Sequence, residues 1–527
     1  MKKILICDKI LDAGLKLLED AQDITLIKSP QPEGPELYKL LSDVKVAITR
    51  SSTAVNKAFL DAAPKLSAVV RAGVGVDNVD MNECSRRGVI VMNVPAANTI
   101  AAVELSFAHM LAAARSFPLA HNSLKLDRKW QRSQFYGVEL KDKALGIIGF
   151  GNIGRRLATR AQAFDMRIYA YDPYASPELA AEMGAIYCSS LDDMLPHIDF
   201  LSIHTPKTPE TKAVISAKEI SMMKKGVRLI NCARGGLYDE KALCDGLRSG
   251  HIAWLGIDCF ENEPDTTSPL LDFPNVSVTP HLGASTIESQ EAIAKLACEQ
   301  ALAAAREISY PNALNLPVKT EELPPFARPY IDLISRMAHL AYELEKTQIK
   351  KIKLKACGAI APYAKTLLSF ATVSALKPIM GDHINYVNAP FVLEDKGIKA
   401  ILESEERHCD YANSLELKVI TDTESSSIKG TVFGEKELRI VEINGFETDF
   451  APKGKVIISR NKDVPGVIAK LTKVLASHDI NIADFRLGRN GYGQAMAITI
   501  IDEAISPAIK QELKDLGIFS YLEYLEI

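Results

Sequence analysis

Residues 145–155 read Leu-Gly-Ile-Ile-Gly-Phe-Gly-Asn-Ile-Gly-Arg, an apolar strand that breaks into glycines at 149, 151 and 154 before a helical pattern begins. No other stretch restricts the fold so strongly. Strand, G-x-G-x-x-G and helix in that order form a dinucleotide-binding fingerprint in its proper context. Gly149 allows the tight turn, Gly151 lets backbone approach a pyrophosphate, and Gly154 lets the helix pack closely on the strand. Asn152 and Ile153 open the helix, whose free N–H groups and positive dipole end face the phosphates. The next apolar segment, 166–171, runs into Asp172. An acid there accepts hydrogen bonds from ribose hydroxyls, which favours NAD over NADP. An ordinary glycine turn in an α/β domain is the plainer reading, and it leaves the acid unexplained.

A chain of 527 residues exceeds one core, and about 150 residues per domain suggests three or four domains. The 62 Lys and Arg against 66 Asp and Glu give a net charge of −4 with no long run of one sign. Neither nucleic acid nor a membrane surface is implied as a partner. The nine cysteines, at 7, 84, 188, 232, 244, 259, 298, 357 and 409, are scattered and form no C-x-x-C. They read as free thiols in a reducing cytoplasm, not as a disulfide framework, and no histidine or cysteine spacing marks a metal site. The apolar run 4–7 stops at Asp8, too short for a signal-peptide core. The long apolar segment 96–114 holds Asn98, Glu104 and His109, so it reads as a buried helix and not as a membrane span.

Taken in order, residues 1–97 alternate short apolar strands with amphipathic helices, the signature of a parallel sheet covered on both faces. A whole α/β domain therefore precedes the nucleotide fingerprint, and a cleft between two domains is expected. The second domain carries strands at 144–149, 167–171, 200–204, 228–232, 254–259 and 276–279. Their C-terminal loops hold Asp172, His204-Thr205-Pro206, Cys232-Ala233-Arg234, Asp258 to Glu263, and His281 to Ala284. Ligands in open parallel sheets sit outside the carboxyl ends of the strands, so these loops converge on the cofactor. His204 fits a nicotinamide or ribose contact and a packing role equally well. A helical pattern spans 285–306, and prolines at 311, 317, 324 and 325 mark 310–325 as a linker. The region to about 452 mixes helical stretches with a probable hairpin at 429–433 and 438–443, and its fold does not follow from its pattern. From 455 onward the order is strand, helix, strand, strand, helix, strand, which is ferredoxin-like.

Hydride transfer from a 2-hydroxy acid to NAD needs a cation for the carboxylate, a base for the hydroxyl proton, and a group that tunes the base. Arg234 follows a strand beside two glycines, and its planar fork binds carboxylates bidentately. His281, at another strand end, offers an imidazole suited to proton transfer near neutral pH. Glu263 would fix the tautomer of His281 and stabilise its imidazolium. Each residue alone has a blander reading: Arg234 as a phosphate anchor, Glu263 as a solvated acid, His281 as a structural strand-end residue. Their joint occurrence on one nucleotide-binding sheet is what favours catalysis.

The segments Gly149 to Gly154, Asn231-Cys232-Ala233-Arg234-Gly235-Gly236, Asp258 to Pro264 and Thr279-Pro280-His281-Leu282-Gly283-Ala284-Ser285-Thr286 together resemble the D-2-hydroxyacid dehydrogenase family. With Arg71-Ala72-Gly73-Val74-Gly75-Val76-Asp77-Asn78 and the C-terminal extension, the chain is similar to long-form members that act on a phosphorylated hydroxy acid. The resemblance implies an NAD enzyme with Arg234 as clamp, His281 as acid and base, and Glu263 as its partner. It implies an α/β fold of two doubly wound parallel-sheet domains: a flavodoxin-like substrate domain, 1–97 with 285–317, and a Rossmann domain, 98–284. An α+β intervening domain, 318–452, and a ferredoxin-like ACT domain, 453–527, would follow. By the same likeness Asn461, Asp463, Val464, Pro465, Gly466 and Asn481 would hold L-serine as effector, and the chain would form a homo-oligomer, dimer or tetramer. Asn461 stands where many such loops carry His.

A phosphorylated substrate needs further cations, and Arg50, with Ser51, and Arg71 end strands facing the expected cleft; both arginines also fit as solvated strand-end residues. Gly73, Val74, Gly75 and Asn78 would supply donors to the anion, and Arg132 would reach a neighbouring subunit's site. Rival readings keep the chemistry with D-lactate, glycerate or 2-hydroxyglutarate, or make the chain a non-catalytic sensor of NAD and amino acids.

Overall fold

Five apolar strands, β1 (Lys2–Ile6), β2 (Ile24–Lys28), β3 (Val46–Thr49), β4 (Ala68–Arg71) and β5 (Ile90–Met92), pair in parallel in the order β2-β1-β3-β4-β5. This is the doubly wound flavodoxin-like order. The computed structural model describes residues 1–317, 323–406, 410–422 and 424–527; part of the expected linker, 318–322, lies outside them. Successive side chains of a strand point to opposite faces, and both faces here are apolar. Ile4, Ile6, Val46, Ile48 and Val70 enter one core, and Leu5, Ala47 and Val69 enter another. The helix Ile287–Ala305 covers the first face through Ile293, Ala297, Cys298 and Ala301. Its small residues permit close approach: a Cβ on Gly14 would collide with the Ala294 carbonyl.

The second sheet comprises β6 (Ala144–Ile148), β7 (Arg167–Tyr171), β8 (Ile186–Tyr187), β9 (Phe200–Ile203), β10 (Val227–Asn231), β11 (Ile252–Ile257) and β12 (Val276–Val278). All pairings are parallel, in the order β12-β11-β10-β9-β6-β7-β8. Strand order reverses between β6 and β9, the Rossmann switch point where a crevice opens. β8 escapes the sequence reading because two residues carry no periodicity. The helix Thr99–Arg115 lies against this sheet with Val103, Met110 and Ala113 in the core. Among the described residues no single helix is long and apolar enough to cross a membrane; Thr99–Arg115 and Phe117–Lys125 meet at a 70° bend.

The third sheet holds β13 (Lys351–Gly358), β14 (Lys399–Glu405), β15 (Asn413–Ile420), β16 (Ser425–Phe433), β17 (Glu437–Ile443) and β18 (Phe446–Phe450), ordered β14-β13-β15-β16-β17-β18. β13 and β14 are parallel and the other pairs antiparallel, including the expected β16–β17 hairpin. β14 is exposed along its whole length, so it has no alternation to read. The fourth sheet, β19 (Lys455–Lys462), β20 (Ile482–Arg489), β21 (Gln494–Ile501) and β22 (Phe519–Glu526), is antiparallel in the ferredoxin-like order β20-β21-β19-β22. The helices Val467–Ser477 and Pro507–Asp515 cover one face. The other face, with Val456, Ile458, Met496, Ile498 and Leu525, shares a core with Met337, Phe446 and Phe450 of the preceding region.

One cysteine corrects the sequence reading: seven are free and buried, but Cys357 is disulfide-bonded. It sits near the end of β13, where scattered spacing carries no pairing signature; Cys409 lies outside the described residues. The third region also docks on the first sheet. Val387 joins that sheet's core, the Asn385 amide donates to Gly88 O at 2.7 Å, and Arg86 pairs with Asp395 at 2.9 Å. Val387→Asp buries a carboxylate without a partner and should cost on the order of 2 kcal/mol; an earlier first transition in urea unfolding checks it.

Candidate active site

The glycine turn forms as its residues require. Gly149 has φ +87°, and a Cβ on Gly154 would collide with the Gly149 carbonyl. Around Gly151, the N-cap of the helix Asn152–Gln162, a Cβ would meet nothing within 4 Å, which leaves room for a ligand above the helix N-terminus. Asp172 closes β7 beside this turn, accepting from Phe150 N and Tyr174 N, both at 2.8 Å. Thr205 packs its methyl against Gly149, and its buried hydroxyl has no protein partner. An unpaired buried hydroxyl beside an open glycine turn fits a bound dinucleotide. His204 instead bonds Ser202 at 2.9 Å, and burial lowers its pKa to about 4; Pro206 beyond it is exposed. Cys232 is buried, its thiol pushed up to about 12 by burial.

At the far strand ends the catalytic candidates come together. His281 Nδ1 lies 2.6 Å from Glu263 Oε2, and Glu263 Oε1 accepts from Phe260 N at 2.9 Å. The hydrogen bond to Glu263 raises the His281 pKa above the ordinary value, against its own burial. Burial works against Glu263 too, yet the bonds from His281 and Phe260 N hold its carboxyl below the usual range. With Nδ1–H donated to a carboxylate, Nε2 keeps its lone pair for a substrate proton. Behind them Asp258, its pKa raised by burial, accepts from Leu282 N at 2.7 Å and Gly283 N at 2.8 Å. The Ala284 carbonyl accepts from Gln290 at 2.7 Å and leads into the next helix. Cys259, Glu263 and His281 bring one ligand atom each within 4.8 Å of one another, a cluster the sequence showed no sign of. Burial holds the Cys259 thiol protonated, which disfavours metal ligation.

Arg234 reaches across to the first domain. Its Nε donates to Asp77 Oδ2 at 3.1 Å, Nη1 donates to Ala233 O at 2.7 Å, and the guanidinium fills the space a Cβ on Gly75 would need. The Arg71 guanidinium lies against Gly73, and its buried Nε has no partner. Burial, then Arg234 and Arg50, lower its pKa to about 10. Arg50 donates to Lys9 O at 3.1 Å beside exposed Ser51. The Asn78 amide is already used by Arg50 O at 2.7 Å and Thr53 O at 2.5 Å, and Val74 O accepts from Asn93 at 2.7 Å. Arg132 lies in an exposed turn. Asp77, missed from the sequence, adjoins the Gly73-Val74-Gly75 run but shows its role only through its partner.

In the C-terminal module a cavity of about 330 Å³ is lined by Asn461, Asp463, Val464, Pro465 and Gly466, together with Arg489 and Phe519. Arg489 pairs with Asp463 at 3.1 Å. Asn481 does not line it; its amide binds Asp502 at 2.6 Å.

Comparison with known proteins agrees with this geometry. Residues 107–283 match the family model of the D-isomer specific 2-hydroxyacid dehydrogenase NAD binding domain, 327–444 the D-3-phosphoglycerate dehydrogenase intervening domain, and 455–518 the ACT domain. Among solved structures, D-lactate dehydrogenase from Aquifex aeolicus, complexed with NAD and lactic acid, aligns at TM-score 0.53 and 28% identity, covering 58% of this chain and 96% of that one. A glyoxylate reductase from Paecilomyes thermophila aligns at TM-score 0.54 and 28% identity, covering 59% and 98%. Fold and site thus define an NAD-dependent D-2-hydroxyacid dehydrogenase. The D-3-phosphoglycerate dehydrogenases of Methanocaldococcus jannaschii and Bacillus subtilis are each 35% identical over 518 residues, 98% of either chain. The chain belongs to the D-3-phosphoglycerate dehydrogenase family.

The Glu263–His281 bond sets a pH signature. For His281 acting as the base proposed below, which works when neutral, oxidation is expected to rise with pH through its raised pKa. Glu263→Gln removes the main cause of that rise, and the acid limb of the kcat profile should move to lower pH while kcat falls about tenfold or more. Initial rates across pH check both effects.

Proposed function

We propose that this protein oxidises D-3-phosphoglycerate to 3-phosphooxypyruvate with NAD, the first committed step of L-serine biosynthesis. The observation that carries this reading is the set of cations at the cleft: Arg71, partly buried and unpaired at Nε, beside Arg50 and Arg234. Mutually repelling guanidiniums held out of water favour a ligand with more than one anionic group, as a phosphorylated carboxylic acid has. Bound NAD supplies the hydride acceptor. Arg234, braced by Asp77, holds the substrate carboxylate; His281 takes the C2 hydroxyl proton at Nε2; Glu263 stabilises the imidazolium that forms. Gly149, Gly151, Gly154 and Asp172 seat the cofactor, and Thr205 offers it a hydroxyl.

The substrate reading is tested by Arg71→Ala and Arg50→Ala, which should cut kcat/KM for phosphoglycerate at least about tenfold more than for D-lactate or D-glycerate. Equal losses on all three acids would remove the phosphate role. His281→Ala should lose about 10²-fold in kcat with NAD affinity nearly kept; full activity would favour a sensor over an enzyme.

L-Serine as effector fits the 330 Å³ cavity, where Asp463 and Arg489 present opposite charges suited to an ammonium and a carboxylate. The shared core between the last two sheets makes deletion of the module a poor test, because it would expose Phe446 and Phe450. Arg489→Ala should instead raise the serine concentration for half-inhibition about tenfold or more. Serine without effect on the native enzyme retires the assignment. A homo-oligomer, dimer or tetramer, is supported by the exposed large apolar side chains Phe117, Leu124, Leu126, Trp130 and Tyr136, all within the one segment 117–136. A cytoplasmic setting is supported by the seven free cysteines, with the disulfide-bonded Cys357 standing against it.

A further inference from the structure

Among the buried titratable groups that the mechanism leaves unused, His109 is the one that leads back to the strand-end loop of His281. His109, on the helix Thr99–Arg115, is 5% exposed and packs so closely on β11 that a Cβ on Gly256 would lie 2.8 Å from His109 Cβ. Both of its ring nitrogens are engaged: Nδ1 with Ser277 Oγ at 2.9 Å and Nε2 with Thr279 Oγ1 at 3.1 Å. Thr279 Oγ1 in turn donates to Asp258 Oδ1 at 2.6 Å, and the indole N–H of Trp254 donates to Ser277 Oγ at 3.1 Å.

Proton bookkeeping leaves one arrangement. Asp258 receives backbone N–H groups from Leu282 and Gly283 as well as the Thr279 hydroxyl, the pattern of an ionised carboxylate. Thr279 has one proton and gives it to Asp258, so toward His109 it can only accept. His109 must then carry its hydrogen on Nε2. Burial lowers its pKa to about 4, so the ring is neutral and Nδ1 accepts from Ser277. Ser277, having donated, accepts from Trp254. Every donor in the chain Trp254, Ser277, His109, Thr279, Asp258 points the same way, and every buried polar atom in it is satisfied.

The chain ends at the backbone that carries the base. Asp258 O accepts from His281 N at 2.9 Å, and its carboxylate holds the two following N–H groups. His281 itself has φ +53°, a left-handed conformation uncommon for non-glycine residues, with its N–H held by Asp258 O. We propose that His109 is a positioning residue for the catalytic base: through Thr279 it orients the Asp258 carboxylate, which holds residues 281–283 and aims His281 at Glu263 and the cleft. The proposal rests on the reading of His281 as that base.

The test uses the full-length enzyme with H109L, which keeps bulk and removes both ring contacts, and H109Q, whose amide can still donate toward Thr279. The readouts are kcat and KM against pH, and the NMR titration of the His281 ring, identified by its loss in H281N. The groups facing that ring are Glu263, Asp258 and Arg234, none altered by these variants. H109L should lower kcat about tenfold, leave KM within about twofold, and move both the acid limb and the ring titration to lower pH as the Glu263 contact loosens. H109Q should recover most of kcat and the native limb. A drop in thermal midpoint or active fraction with limb and titration unmoved, or H109Q behaving as H109L, overturns the proposal. If H109L does not fold, T279V cuts the same chain one residue later and is judged by the same shifts. Full activity in H281N would instead sink the base reading, while the ring titration in H109L still reports whether His109 positions that ring.

Discussion

The packing of the helix Ile287–Ala305 on the first sheet is the interaction on which the rest of the catalytic half depends. The helix begins just past Gly283, where the last strand-end loop of the nucleotide sheet finishes, yet Ile293, Ala297, Cys298 and Ala301 are buried in the core of residues 1–97. Burying that face ties the loop carrying His281 to the domain carrying Arg71. Small side chains make the contact close, since Gly14 admits no Cβ against Ala294. The Arg234–Asp77 pair is a second tie across the same gap. It is partly exposed and weak as a source of stability, so its value is in setting where the guanidinium lies.

Within that cleft, opposing electrostatic requirements are met by geometry. Cations are gathered where burial disfavours them, as the lowered pKa of Arg71 shows, and the repulsion favours an anionic ligand. His281 is treated in the reverse manner: Glu263 raises its pKa against the cost of burial. Asp258 stays ionised in spite of burial because it receives hydrogen bonds from Thr279, Leu282 and Gly283. A half-satisfied network there would be worse than none.

The regulatory half is attached at two places of different character. The C-terminal sheet shares an apolar core with the intervening region, with Tyr521 OH donating to Leu344 O at 3.2 Å and Arg336 to Pro452 O at 2.8 Å. The intervening region meets the first domain through a smaller contact around Val387, Asn385 and Arg86. The last two sheets are therefore joined by the larger apolar contact, and the contact around Val387 is the smaller one that links the intervening region to the first sheet.

Much of this was legible from the chain. The alternation of β1 to β5 and the spacing of Gly149, Gly151 and Gly154 report local backbone requirements, which belong to the sequence itself. Arg234, Glu263 and His281 were legible for a related reason: strand ends of a parallel sheet share one side, so position along the chain implies neighbourhood. β8 and β14 were hidden because one is too short and the other too exposed to be patterned. The Asp77 brace, the exclusion of Asn481 from the cavity lined by Asn461 and Asp463, the Cys357 disulfide and the His109 network were not legible at all. Local conformation and the side of the sheet on which chemistry occurs were thus determined by sequence alone. Which distant side chains meet was decided only by tertiary packing, because a hydrogen bond depends on tenths of an ångström between segments that periodicity does not relate.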